Sequence, residues 1–286
     1  MLAAAFFWGT SATLARFVFH DRHVPPLVAV ELRLAISVAI LAPWLAWRRP
    51  AALRIRREDL GYFVVLGLFG VAAVQGTYYY AIGSLGVGLA ILIQYIAPAL
   101  IVGYETLRGA PLRARAVLAV VAALVGTACL VVGVDRASFG ASPLGWAAGF
   151  GSALSFAFYV VYSKRGLARY APETVLFYTF LVAGIFWACV TPPTRIIAAG
   201  YDRTLWSMFV ALGIFSTLVP FALFSAGLRR LSPGEAGVLA TTEPVVAVLS
   251  AAILLGEGLR AQQWLGAALV LCAALLATLR APASLP

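Results

Sequence analysis

The sequence predicts an all-α integral membrane protein, with ten transmembrane helices arranged as two inverted five-helix repeats. Hydrophobic residues make up 63% of the 286-residue chain and charged residues 11%, whereas soluble domains contain about 45–50% and about 25%. A soluble core could not cover that much apolar surface. A repeat within the sequence also relates the first half of the chain to the second.

Ten apolar segments are long enough to cross about 30 Å of hydrocarbon as helices, for which about 20 residues suffice. Uninterrupted runs of this length favour helices over barrel strands, because backbone groups in the bilayer need internal partners. The first segment lacks a basic leading region and a small-residue cleavage site, so we expect a retained helix and not a signal peptide. The predicted spans are 3–19, 27–47, 60–82, 85–107, 112–134, 143–164, 172–191, 204–228, 233–256 and 261–280.

The internal repeat lies at a constant offset of 146 residues. The sequence LGYFVVLGLF at 60–69 returns as WSMFVALGIF at 206–215, and the same offset pairs Pro98 with Pro244. Five spans separate equivalent points, so the second copy is expected to be upside-down relative to the first. Inverted repeats of helices broken by proline are typical of secondary transporters. The two predicted five-helix units are residues 1–136 and 137–286.

The basic residues predict an orientation. With both termini in the cytoplasm, 14 arginines and lysines fall on the inner side and five on the outer side, while Arg16 and Arg33 lie within spans. The positive-inside rule therefore places both termini in the cytoplasm. The net charge of +10 reflects this topology. Nucleic-acid binding is disfavoured, because no basic patch alternates with exposed aromatic residues.

An intramembrane enzyme would need a positioned base or a metal cluster within the bilayer. Both histidines, His20 and His23, fall in one predicted loop, and the chain has no H-E-x-x-H motif. No catalytic residue, metal or cofactor is therefore expected. The cysteines show no metal-like spacing and imply no disulfide framework. A channel is the less favoured alternative, because channels usually build their filters through oligomeric symmetry.

Two prolines near the middle of the fourth and ninth spans are the candidate hinges. A proline within a helix removes one backbone donor and clashes with the preceding turn. Pro98 and Pro244 are therefore either static kinks or flexing points, one per repeat, that let a cavity open alternately to each side.

Glu243, directly before Pro244, is the only acidic residue predicted near the bilayer midplane. A charge there costs about 2.5–3.5 kcal/mol on insertion scales, so a partner is expected. The carboxyl group either fills the gap that the proline opens or faces a cavity, where it binds a substrate ammonium group or a coupling proton. Its counterpart in the first repeat is Ala97.

Aromatic and small polar residues gather at a similar depth in five of the spans. Such a mixture suits an apolar cavity with a few orienting polar groups. Packing and the interfacial aromatic belt are the alternative explanations, above all for residues 78–80. The candidate substrate-binding residues are Trp8, Ser11, Gln75, Tyr78, Tyr79, Gln94, Tyr95, Ser155, Tyr159, Thr242 and Glu243.

Three charged residues near span ends are candidate gates. Arg16 and Glu31 lie near the outer ends of the first two spans and could pair, and Lys164 is the counterpart of Arg16 at the inner end of the sixth span. Snorkelling and a structural ion pair explain the three residues without a gate. The alternative is a latch that breaks in one transport state.

These features resemble the drug/metabolite transporter superfamily, and within it the EamA family with its YddG-type amino-acid exporters. Beyond the ten spans and the paired prolines, the resemblance rests on WGTS at 8–11, GE at 256–257 and WLG at 264–266. The first repeat departs from it, because ETL at 105–107 replaces the Gly-Glu pair. The resemblance implies export of small metabolites, commonly amino acids, across the bacterial inner membrane.

The residues narrow the substrate class. Phosphate requires arginine or lysine, and no basic residue is expected near the midplane, which disfavours sugar phosphates and nucleotide sugars. An aromatic cavity with one acid suits amphipathic zwitterions or hydrophobic cations. Amino-acid export is therefore the leading hypothesis and efflux of lipophilic cations the alternative. The sequence does not decide whether protons are coupled to transport or which oligomeric state the protein has, and it is compatible with a monomer.

Overall fold

The computed structural model describes residues 1–131, 142–255 and 258–279, apart from the side chains of Thr13, Arg16, His20 and Leu255. Within these ranges the chain is helical and contains no strand. Nine of the described helical stretches are long and apolar enough to cross a membrane, and Ala114–Leu130 is a shorter apolar helix. The predicted fold class, an all-α membrane protein of two inverted five-helix repeats, is confirmed.

Fifteen α-helices make up the described parts of the ten spans and one connecting segment, α10. The predicted boundary between the repeats, at residues 136 and 137, lies outside the described residues, as do residues 256–257. The helices are α1 (Leu2–Arg16), α2 (Pro26–Arg48), α3 (Leu60–Val65), α4 (Ala73–Leu85), α5 (Val87–Gln94), α6 (Ala97–Leu107), α7 (Ala114–Leu130), α8 (Pro143–Leu167), α9 (Pro172–Val190), α10 (Pro193–Ala198), α11 (Arg203–Ala211), α12 (Val219–Arg230), α13 (Pro233–Ala240), α14 (Glu243–Leu255) and α15 (Ala261–Thr278).

The fourth and ninth spans are each broken in the middle. Two-residue turns, 95–96 and 241–242, separate α5 from α6 and α13 from α14, and they lie at the repeat offset. Pro98 and Pro244 are the second residues of α6 and α14. At the start of a helix a missing N–H removes no intrahelical hydrogen bond. Each proline thus begins a new half-helix instead of kinking a continuous one.

The third and eighth spans each contain a π-helical segment at the same position of the repeat. Leu66–Ala72 separates α3 from α4, and Leu212–Leu218 separates α11 from α12. A π-helix bonds each residue to the fifth one along, so it accommodates one extra residue per turn, and such segments are frequent at functional sites. A third segment of this kind, Phe17–Asp21, ends the first span.

The last helices of the two repeats, α7 and α15, pack along each other. Gly126 and Gly266 bring the two backbones together: a Cβ on Gly266 would lie 2.6 Å from the Gly126 carbonyl oxygen, and one on Gly126 would lie 2.8 Å from that of Gly266. Small residues allow membrane helices to approach this closely.

The repeats also meet through two equivalent glycine contacts. Gly67, in the first π segment, lies against Val182 of α9, and Gly213, in the second, lies against Ile36 of α2. Gly67 and Gly213 are 146 residues apart, and so are Ile36 and Val182. The packing of the third span on the seventh is therefore repeated by the eighth span on the second.

Ion pairs join loops of the two repeats at opposite ends of the bundle. Arg22 pairs with Asp202 at one end, and Arg169 pairs with Asp59 over 3.1 Å at the other. Asp202 also caps α11 by accepting the Leu205 N–H at 2.7 Å. This hydrogen bond, together with Arg22, lowers the pKa of the Asp202 carboxyl group. Exposed pairs such as Arg22 with Asp202 contribute little stability, whereas Asp59 is buried and also accepts a hydrogen bond from the Tyr170 hydroxyl at 2.6 Å.

Candidate functional site

The two helix breaks meet through a side-chain hydrogen bond. Tyr95, in the first break, donates its hydroxyl to Glu243 Oε2 at 2.8 Å, and its oxygen lies 3.5 Å from the carbonyl oxygen of Ala240 at the end of α13. Tyr95 is buried. One side chain of the first repeat therefore contacts both the carboxylate and the open helix end of the second.

Glu243 keeps some accessible surface at the second break. Its side chain is partly accessible, whereas its neighbours Thr242 and Pro244 are buried. Gly9 brings the first span against the same residue, because a Cβ on Gly9 would lie 2.8 Å from the Glu243 carbonyl oxygen. The WGTS sequence thus places the first span directly on the second break.

Threonine hydroxyl groups close this break locally. Thr241 Oγ1 donates to the carbonyl oxygen of Val238 at 2.6 Å, and Thr242 Oγ1 donates to that of Leu239 at 2.7 Å. Short hydroxyl side chains satisfy carbonyls that a broken helix leaves free. Thr242, a predicted site residue, is therefore at the break, with its hydroxyl proton already donated within the turn.

A buried arginine that the sequence analysis left without a role lies near Glu243. Arg33 is 7% exposed. Its Nε donates to Thr217 Oγ1 at 2.7 Å, its Nη1 to the Tyr79 hydroxyl at 2.8 Å and its Nη2 to the Ser216 carbonyl oxygen at 3.4 Å. The guanidinium also interacts electrostatically with Glu243. The second π segment supplies two of its three acceptors.

This guanidinium bears on two expectations. A basic side chain does lie within electrostatic reach of Glu243, although none was expected near the midplane. The Tyr79 hydroxyl accepts a hydrogen bond from Arg33 and Tyr78 interacts electrostatically with Glu243, whereas Tyr80 is 47% exposed, and a place of these tyrosines in the aromatic belt stays a prediction. The signal was present in the sequence, because Arg33 lies about two turns inside an apolar helix, where a charge marks a functional site.

An aromatic cluster brings two predicted site residues together. Trp8 lies with its ring centroid 5.2 Å from that of Phe221 and 5.6 Å from that of Phe224. Tyr159 contacts the same two rings at 5.8 and 6.0 Å and packs on Gly70 of the first π segment. Edge-to-face and offset rings at these distances form stable apolar surfaces.

The other predicted site residues are less closely connected. Gln94 is half-buried at the end of α5, directly before the first break, while Ser11 is buried in α1. Gln75 is buried in α4 and Ser155 is half-buried in α8. Within the described part of the chain, no hydrogen bond joins any of these four residues to the side chain of Glu243 or to that of Arg33.

The candidate gate residues lie in separate places. Glu31 is buried in α2, and the side chain of Arg16, its expected partner, lies outside the described residues. Lys164 Nζ donates to the last carbonyls of α12 and to that of Leu231, at 2.7–3.1 Å. The ammonium group therefore caps the C-terminus of α12.

A hydrogen bond joins the end of α6 to the start of α13. Glu105 Oε2 accepts the backbone N–H of Gly234 at 3.1 Å, and Lys164 interacts electrostatically with Glu105. A cleft of about 130 Å³ lies beside this link, and Val102 and Val238 are among its lining residues. Sequence reasoning noted Glu105 only as a departure from a motif, since nothing local predicts its contact with another helix.

Comparison with known proteins settles the family. The model of the EamA-like transporter family matches the chain twice, over residues 1–132 and 143–279. The chain belongs to this family.

Relatives of this EamA-family chain share its length. It is 28% identical over 275 residues to the threonine/homoserine exporter RhtA of Escherichia coli K12, covering 94% of this chain and 86% of RhtA. It is 25% identical over 286 residues to the inner membrane transporter YicL of Salmonella typhimurium, covering 98% and 94% of the two chains. A solved crystal structure matches it with a TM-score of 0.78 at 25% identity, over 96% of this chain and 94% of the other.

Family membership confirms two predictions. The protein is a multi-pass membrane transporter and not an enzyme, because its relatives are named transporters. The recognised resemblance to the EamA family is correct. Family membership does not identify the substrate, which has to be inferred from the residues of the site.

Proposed function

We propose that this EamA-family protein exports amino acids by alternating access around the paired helix breaks. One observation carries the proposal: the partly accessible Glu243 carboxylate is bonded to Tyr95 where the two repeats meet. A carboxylate in this position can bind a substrate ammonium group, while the half-buried Trp8 offers an apolar surface to the side chain of the substrate. The similarity to RhtA, a named threonine/homoserine exporter, supports amino acids as the class.

The same contact links substrate binding to movement. The Tyr95–Glu243 hydrogen bond ties the two breaks together. A substrate ammonium group that takes the place of the Tyr95 hydroxyl would free the breaks from each other. Pro98 and Pro244 would then act as hinges for the half-helices that follow them. Substrate would thus favour exchange between the two open states through its own differential contacts.

The proposed location is the bacterial inner membrane, with both termini in the cytoplasm. The distribution of arginines supports this orientation, and the similarity to YicL, named as an inner membrane transporter, supports the membrane. The repeats are proposed to span residues 1–136 and 137–286.

Efflux of lipophilic cations is the second candidate, because the aromatic cluster with one nearby acid would also accept such a cation. Counterflow in proteoliposomes separates the candidates. We expect unlabelled amino acid trapped inside to accelerate entry of the same radiolabelled amino acid, with L-threonine as the first of a panel of twenty, and trapped tetraethylammonium not to accelerate entry of radiolabelled tetraethylammonium. Counterflow of tetraethylammonium together with no counterflow of any amino acid would overturn the proposal. Uptake without any trans-acceleration would indicate a channel-like facilitator.

The role of Glu243 has its own test. Glu243→Gln keeps the size of the side chain but loses its charge, so we expect counterflow to fall by about tenfold or more. Glu173→Gln is the matched control, because Glu173 pairs with Arg49 at the protein surface. A Glu243→Gln protein with the wild-type rate and pH profile would contradict this assignment.

A further inference from the structure

We infer that Arg33 binds the carboxylate of the transported solute, so that the site selects molecules that carry both an anionic and a cationic group. The inference rests on the amino-acid export proposed above and adds a second subsite to it. Glu243 and Arg33 then bind opposite ends of one zwitterion.

The first argument is that Arg33 is a buried charge without a carboxylate partner. It is 7% exposed, and no described carboxylate lies within the 4.0 Å of an ion pair. Buried charges in proteins are normally paired, because leaving water is costly for an ion. Its acceptors are neutral: two hydroxyl groups and one carbonyl oxygen. An anionic group of the substrate would supply the missing partner.

The second argument is that the guanidinium is fixed and still has donors to offer. Arginine carries five N–H groups, and three of them are used by Thr217, Tyr79 and Ser216. Two N–H groups have no partner among the described residues. Because acceptors on two elements, α4 and the second π segment, orient the plane, these donors are pre-organised for a carboxylate, the acceptor that matches the guanidinium fork.

The third argument is the position of the opposite charge. Arg33 interacts electrostatically with Glu243 but does not form an ion pair with it. Tyr79 bonds Arg33, its ring lies 5.8 Å from that of Tyr78, and Tyr78 interacts with Glu243. Contacts through two tyrosines thus connect the two separated charges, one from each repeat.

The repeat adds a mechanistic consequence. Arg33 belongs to the first repeat and Glu243 to the second, and their counterparts are Thr179 and Ala97. Each repeat therefore supplies one charge, and neither supplies both. A solute bound at its two ends connects the repeats, so its removal or truncation changes how they can move against each other.

The test uses full-length protein in proteoliposomes and three competitors of radiolabelled L-threonine counterflow. These are L-threonine itself, L-threonine methyl ester, which lacks the anionic group, and N-acetyl-L-threonine, which lacks the cationic group. If another amino acid of the panel exchanges faster, its own ester and N-acetyl derivative are used. We expect both derivatives to compete about tenfold or more weakly with the wild-type protein, because each leaves one site group unpaired. An ester that competes as well as the free amino acid would overturn the inference without any mutation.

Variants then assign the subsites. Arg33→Gln should abolish discrimination against the ester and keep discrimination against the N-acetyl derivative, whereas Glu243→Gln should do the reverse. Arg54→Gln, which removes an exposed arginine outside the site, should keep both ratios. An unchanged ester ratio in Arg33→Gln would refute the role of Arg33.

A second variant covers the case in which Arg33→Gln does not fold. Thr217→Val keeps the charge but removes the acceptor of Nε, so it should raise the half-saturating concentration of threonine several-fold and leave that of the ester unchanged. Equal changes for both compounds would contradict the inference. The two proposals fail differently: absence of any amino-acid counterflow overturns the export function, whereas exchange without discrimination against the ester overturns only the role of Arg33.

Discussion

Single glycines decide how closely the two repeats approach. A Cβ on Gly67 would lie 2.6 Å from Val182 Cβ, and one on Gly213 would lie 2.7 Å from Ile36 Cγ2. Real Cβ atoms do not tolerate such distances, so the spans would have to separate. Because the two glycines are equivalent in the repeat, substitutions at the two positions should destabilise the protein by similar amounts.

We therefore expect Gly67→Ala and Gly213→Ala each to destabilise the protein by about 1–3 kcal/mol, the usual cost of overpacking. Thermal unfolding in detergent measures this. Gly103→Ala is the control, because nothing lies within 4 Å of the added methyl group, and alanine is the better helix former. Equal melting temperatures for Gly67→Ala and Gly103→Ala would show that the contact is not tight.

At the scale of helices, the breaks at 95–96 and 241–242 are the points where the fourth and ninth spans can bend. Each second half-helix carries a proline as its second residue, so this position offers no backbone N–H to the turn in any state. Movement at these points costs less than bending a continuous helix.

We expect Pro98→Ala and Pro244→Ala each to slow counterflow more than they reduce the amount of folded protein, because alanine lets the helix close across the break. Pro43→Ala serves as the control, since Pro43 lies within α2 and away from both breaks. Unchanged kinetics in reconstituted Pro98→Ala and Pro244→Ala proteins would mean that the prolines are static.

The bond between Glu105 and Gly234 acts at one end of the same helices. In the proposed orientation this end faces the cytoplasm. The counterparts of the two residues are Ala251 and Gly88, so the repeat does not place a second carboxylate at the equivalent position of the opposite end. In the proposed orientation, opening toward the cytoplasm would break the hydrogen bond between Glu105 and Gly234.

Gly234→Ala tests this link, because its Cβ would lie 2.6 Å from Glu105 Oε2 and would displace the carboxylate. Val238 lines the adjacent cleft. We expect Val238→Cys to react with a thiol reagent from the cytoplasmic side several-fold faster in the Gly234→Ala protein than in the protein that keeps Gly234. Gly103→Ala should leave the labelling rate unchanged. The same rate in the Gly234→Ala protein would argue against a link that closes this side.

At the scale of the whole molecule, the orientation is a prediction that chemical labelling can check. With the native cysteines Cys129, Cys189 and Cys272 replaced by serine, Arg203→Cys should react with a membrane-impermeant thiol reagent in intact cells. Arg54→Cys should react only after permeabilisation, because the positive-inside rule places it in the cytoplasm. The reverse pattern would invert the topology and the direction of the proposed export.

The sequence alone predicts features that depend on the spacing of residues along the chain. Spans, repeat and breaks follow from apolar length, a constant offset and two prolines, and Glu243 was recognised as an isolated charge. The partners of Arg33 could not be foreseen in the same way, because they depend on how three helices rotate against each other. The π segments also leave no local signature, since LGLF reads as an ordinary apolar helix.

The matching π segments have a historical consequence. Each arises where one extra residue is accommodated within a helix, and Leu66–Ala72 and Leu212–Leu218 occupy the same place in the repeat. The simplest account is one insertion in an ancestral gene half as long, before that gene was duplicated and fused. Arg33 and Glu243 have uncharged counterparts in the opposite repeat, so these positions changed after the duplication, when the two halves could acquire substitutions separately.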